Sequence, residues 1–72
     1  MTIKDFIEKI DDDTYIVVQN CFSEIKGYLG DVRDSIVSEF EYLEVNRVFI
    51  NDKEYIEDSN EYIACLVIVM EG

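Results

Sequence analysis

Apolar residues recur at Ile3, Phe6, Ile7 and Ile10, with Lys4, Asp5, Glu8 and Lys9 between them. That spacing lays one apolar face on a helix. Thr2 with Asp5 three residues on resembles a capping box, so the spacing predicts a helix over Thr2 to Ile10. Asp11, Asp12 and Asp13 end it, because Asp is a poor interior residue and has the wrong sign for a helix C-terminus. Thr14 to Asn20 is then β-branched and aromatic and predicts a strand. In Cys21 to Leu29, Ile25, Gly27 and Leu29 alternate with Glu24, Lys26 and Tyr28. This predicts a second strand, hairpinned to the first through Asn20 to Ser23, with Gly27 at a bulge and Gly30 at the strand exit.

The period then changes. Val32, Ile36, Phe40 and Leu43 are spaced for a helix over Val32 to Glu41, with Asp31 as its N-cap; an irregular loop is the competing reading. Leu43 to Ile50 predicts a strand with Leu43, Val45, Arg47 and Phe49 on one side. Asn51 to Glu54 is turn chemistry, Tyr55 and Ile56 a short extension, and Asp58 to Asn60 another turn. Glu61 to Met70 is the last strand and the most apolar. The order is α-β-β-α-β-β, which implies one α+β domain over residues 1–72: an antiparallel sheet of about four strands with two helices in a second layer. In the last strand Ile63, Cys65, Val67 and Val69 point one way and Ala64, Leu66, Ile68 and Met70 the other. Both faces are apolar and both call for cover. A central position in a small monomer supplies it, or a second copy of the chain does, which makes a homodimer.

Composition narrows the function. The 72 residues carry 17 Asp and Glu against 6 Lys and Arg, a net charge of −11. A direct nucleic-acid binder needs a basic face to neutralise phosphates, and docking on an anionic membrane needs one too. Neither role fits. There is no His, which removes the commonest metal ligand and the commonest neutral-pH acid–base group. Ser23, Ser35, Ser38 and Ser59 therefore lack a His base, and no phosphate-binding Gly-Lys loop is present. The expectation is that the protein is not an enzyme and needs no cofactor. Asp11 and Asp13 begin a calcium-loop pattern that Tyr15 and Ile16 break, leaving at most a weak divalent site or a solvated turn. Cys21 and Cys65 have apolar neighbours and read as buried free thiols, with a disulfide as the other reading. Charges interrupt Met1 to Ile10, so no secretory signal is expected there, and the longest aliphatic run, Ile63 to Met70, is too short for a membrane helix. A cytoplasmic protein of a bacterial host cell is expected.

The acids are unevenly spread. Asp31 to Glu61 holds ten against Arg33, Arg47 and Lys53. A surface made of Glu39, Glu41, Glu44, Asp52, Glu54, Glu57, Asp58 and Glu61 imitates a track of phosphates and would attract a basic groove. The same charge would also serve solubility alone. Tyr55 and Tyr62 sit among these acids and add apolar area with a polar tip, a composition suited to an interface. Those ten residues form the candidate partner-binding set. Tyr42 has the same acidic surroundings, while Tyr15 and Tyr28 read as half-buried strand positions.

In size, charge and the unit running from Thr2–Ile10 through three Asp into the strand at Thr14, the chain resembles small acidic proteins encoded by bacteriophages and prophages. Many of these inhibit host machinery, among them anti-CRISPR proteins and other DNA mimics. The resemblance implies an inhibitor that binds a basic nucleic-acid-handling host protein, such as a CRISPR effector, at its nucleic-acid surface. It assigns no individual residue. The alternative is a protein-interaction or assembly module, homodimeric through the C-terminal strand.

Overall fold

A computed structural model describes residues 1–41, 43–56 and 60–71, with backbone only at 52–54 and 56. The elements are α1 (Ile3–Ile7), β1 (Tyr15–Gln19), β2 (Glu24–Tyr28), α2 (Leu29–Phe40), β3 (Val45–Ile56) and β4 (Glu61–Met70). This is the expected order in a small α+β domain.

The first helix starts where local chemistry allows. Thr2 is the N-cap of α1, and its Oγ1 accepts from the Asp5 N–H at 3.4 Å. The helix is shorter than the predicted span because Lys9 N–H turns back to the Phe6 carbonyl and Ile10 N–H to the Ile7 carbonyl, three residues away, which tightens the chain out of α-helix. Arg33 then collects the released carbonyls. Its guanidinium donates to Ile7 O, Ile10 O and the Asp12 carboxylate, at 3.2, 3.4 and 2.7 Å. One side chain of α2 thus closes the C-terminus of α1.

The β1–β2 hairpin turns where expected: Asn20 Oδ1 accepts from the N–H groups of Phe22 and Ser23. The glycines differ from expectation: Gly27 pairs in unbroken register with Ile16, so no bulge interrupts the hairpin, and Gly30 lies in the first turn of α2 rather than at a strand exit. Gly27 has φ +152°, and a Cβ there would meet Val32 Cγ1 at 2.9 Å. The second helix starts earlier than the sequence pattern indicated. Tyr28, not Asp31, is its N-cap, and Asp31 lies in the first turn. The cause is tertiary: Leu29 N–H donates to Thr14 O, Gly30 N–H to Asp12 O, and the Leu29 side chain is fully buried.

The sheet order is β2-β1-β4-β3. It is mixed rather than wholly antiparallel, because β1 runs parallel to β4 while the two outer pairs are antiparallel. The reason is the connection through α2. It carries the chain across one face, from one edge of the sheet to the other, so β4 returns alongside β1 in the same direction.

Both helices lie on that face. The main core joins Ile3, Ile7, Leu29, Ile36 and Phe40 to Ile16, Val18, Ile68 and Met70. The opposite face holds a smaller cluster of Val17, Cys65 and Val67, with Tyr15 and Val69 packed against it. Among the described residues no second layer covers it. The last strand is therefore central and apolar on both faces, but only one face is covered by helices.

The third strand departs most from expectation. Asn51 to Glu54, read as a turn, continues the strand, with a register shift against β4 between Asn51 and Glu54. An earlier shift between Val45 and Arg47 changes which side faces inward. Leu43 and Val45 pack on the helix-side core, but Phe49 and Asn51 line a depression with Val17 and Val67 on the open side. The four residues expected on one side are divided between two faces, because an extra residue at a bulge inverts the alternation after it. The predicted turn at Asp58 and Ser59 lies outside the described residues. Asn60 has φ 55°, a left-handed conformation that Asn tolerates in a turn.

Candidate functional site

The candidate residues that the structure describes fall towards the two ends of β3. Its N-terminal end meets Met70 of β4, and its C-terminal end, Ile56, meets Glu61. Twelve residues at about 3.3 Å each separate the ends by most of the long dimension of the molecule, 34 Å.

At the first end, Glu39 lies near the end of α2 and accepts from Ser23 Oγ at 2.8 Å. Glu41 is the C-cap of α2 and is exposed. Glu44 bridges backbone to Thr2 and pairs its carboxylate with the N-terminal amine at 2.6 Å. Phe22, 85% exposed, sits at the β1–β2 turn beside Ser23. Two of these three acids therefore hold internal partners.

At the second end, β3 and β4 leave the body of the sheet together. The parallel pairing of β1 to β4 runs only from Leu66 to Val69. Among the described residues, 61–65 of β4 have a ladder to β3 only; Cys65 still packs on Val17, and the strands beyond it form a two-stranded arm. Tyr55 and Tyr62 pair across this arm with ring centroids 5.1 Å apart, and the Tyr55 hydroxyl donates to Asn60 Oδ1. Tyr55 is 42% and Tyr62 70% exposed. The tilted ring contact, 52° between planes, and the hydroxyl contact hold the pair in place without burying it, which leaves a semi-rigid aromatic surface. Glu61 begins β4 and is exposed. Asp52 and Glu54 belong to the β3 backbone, while Glu57 and Asp58 lie outside the described residues. The sequence from 52 to 61 carries Asp52, Glu54, Glu57, Asp58 and Glu61 against Lys53 alone.

Other expectations concern the remainder of the surface. Cys65 is buried as expected, but Cys21 is exposed, because it falls in the hairpin turn; neither forms a disulfide. Asp12 of the three-Asp run is bound to Arg33. Among the described residues no group of three or more Cys, Asp or Glu side chains is placed to hold a metal ion. No helix among them is long and apolar enough to cross a membrane. The sequence reading missed the edge formed by Val48, Phe49 and Ile50, three exposed apolar residues in a row. Their run was visible, but the polar quartet Asn51 to Glu54 was read as the end of the strand.

No protein-family model matches the chain, and neither a curated protein nor a solved structure matches it.

Proposed function

We propose that the protein is an acidic binding module that engages a basic nucleic-acid-handling protein through the end of its β3–β4 arm. A CRISPR effector of a bacterial host is one such protein, and inhibition by occupying its nucleic-acid surface is the functional outcome. The observation that carries the reading is the exposed Tyr55–Tyr62 pair on an arm whose sequence from 52 to 61 has a net charge of −4. Aromatic area gives contact energy at low entropic cost, and surrounding acids supply steering toward a basic groove. The arm has few other uses, since an isolated two-stranded hairpin contributes little to stability. Glu39, Glu41 and Glu44, at the other end of the molecule, contribute to the field rather than to contact. Action in the cytoplasm follows from that class of partner.

The test is capture of partners from a bacterial host lysate on the immobilised chain, at about 50 mM and about 300 mM salt. The expected result is a basic nucleic-acid-handling protein that is released at the higher salt and displaced by duplex DNA. Combining Glu54→Gln, Glu57→Gln, Asp58→Asn and Glu61→Gln should weaken that binding at least about tenfold, the scale of several lost charge contacts. Undiminished binding by the fourfold variant, or a partner that duplex DNA does not displace, would overturn the reading.

A further inference from the structure

We propose that the Arg47–Asn51 stretch of β3 is a self-association edge. Two copies of the chain pair there antiparallel about a two-fold axis at Phe49, joining two four-stranded sheets into one of eight.

The two edges of the sheet are built differently. The β2 edge has five residues, alternates charged Glu24 and Lys26 with smaller inward positions, and is distorted at Gly27. Shortness, charge and irregularity all discourage a further strand. The β3 edge has none of these devices over its central part. Val48, Phe49 and Ile50 are all exposed, Ile50 by 65%. Among the described residues nothing pairs with their outer side.

The open stretch has defined limits. The 44–45 peptide gives its carbonyl to Glu71 on the β4 side and its N–H to Met1 O on the outer side, each at 3.0 Å. The N-terminal residues therefore occupy the start of the edge. Register against β4 shifts between Val45 and Arg47, and again between Asn51 and Glu54. Between the shifts, Arg47 to Asn51 pair without interruption with Val69 to Cys65. The middle of that regular run is Phe49.

Symmetry selects the register. A two-fold axis perpendicular to the sheet keeps both helical layers on the same side, so residues directly opposite must have the same facing. Centred on Phe49, the pairing sets Phe49 against its own copy, Val48 against Ile50, and Arg47 against Asn51. Apolar meets apolar, and the cation meets a neutral amide. Arg47 already lies over the Phe49 ring, 5.4 Å from its centroid, which places its charge beside the doubled aromatic surface. Moving the axis to Ile50 or to Val48 would leave only three residues of the regular run paired and carry the ladder into one of the register shifts, where strand geometry is interrupted.

Charge selects the occupant. Residues 45–51 hold one cation and no acid, in a chain of net charge −11. A basic partner gains nothing there. A second copy meets the least self-repulsive part of its own surface. The consequence is a salt dependence of opposite sign to that of charge-driven partner binding. Screening the remaining acids should strengthen this association.

The experiment is sedimentation of the full chain across a concentration series at about 50 and about 300 mM salt. The expected mass is twice the 8.4 kDa monomer, with more dimer at the higher salt. Ile50→Lys, a change at an exposed position, should weaken the dimer at least about tenfold and leave the circular dichroism spectrum unaltered. The register is read by crosslinking in a Cys21→Ser background. Cβ atoms directly opposite lie about 5 Å apart and diagonal neighbours about 7 Å. Oxidation should thus join two copies of Phe49→Cys but not of Ile50→Cys. Monomer at every concentration and salt would overturn the proposal. So would a dimer that salt dissociates, a dimer indifferent to Ile50→Lys, or crosslinking at position 50 in preference to 49. The arm variants tested for partner binding lie outside this stretch, so either reading fails without the other.

Discussion

The two halves of β4 have different surroundings. From Leu66 to Val69 the strand has β1 on one side, β3 on the other and the helical layer across one face. From Glu61 to Cys65 its strand neighbour among the described residues is β3. The inner half has a ladder on each side and the outer half one on the β3 side, and the two differ also in side-chain burial. The inner half forms the core, where a buried aliphatic side chain contributes about 1.5–3 kcal/mol. The outer half keeps Tyr62 and Glu61 at the surface. A strand can therefore be continuous as a ladder and discontinuous as a source of stability, which leaves its outer part free for recognition.

This comparison can be broken by substitution. The largest effect is expected in the body. Phe40→Ala removes a side chain that is 1% exposed and packed among α1, α2 and the sheet. It should cost about 3–5 kcal/mol in denaturant unfolding, enough to unfold much of a 72-residue chain. An intermediate effect is expected at the junction of β2 and α2. Gly27→Ala adds a methyl 2.9 Å from Val32 Cγ1 on a backbone that L side chains rarely adopt, and should cost about 1–3 kcal/mol. The smallest effect is expected in the arm. Tyr62→Ala loses one aromatic pair that is mostly solvent-exposed, and should cost about 0.5–1.5 kcal/mol while abolishing the proposed aromatic contact. If Tyr62→Ala destabilised the chain as much as Phe40→Ala, the arm would belong to the core and the comparison would fail.

Much of the fold was legible because local signals agreed with the tertiary outcome. The α1 stripe, the Thr2 cap and the Asn20 turn rest on interactions within a few residues of each other. Where prediction and structure parted, the deciding partner was distant in sequence. Leu29 joined α2 because Thr14 accepts its N–H and the core takes its side chain. Asn51 to Glu54 remained in β3 because β4 supplies a ladder that outweighs their turn preference. For the candidate site, the aromatic–acidic segment was legible as composition. Its division from Glu39, Glu41 and Glu44 was not, since proximity of acids in sequence carries no information about the ends of a strand that separates them.

The sequence by itself determined the α+β class, the order of six elements, the apolar faces of both helices and the acidic character of the surface. Each follows from periodicity or from counting charge. Only the tertiary structure decided that β1 and β4 run parallel, that both helices cover the same face of the sheet, and that β3 is a long exposed edge ending in an arm. The physical reason is that strand order and facing depend on which backbone a strand finds for its hydrogen bonds and on where a bulge inverts its alternation. Both are settled by contacts across the chain, which no local pattern encodes.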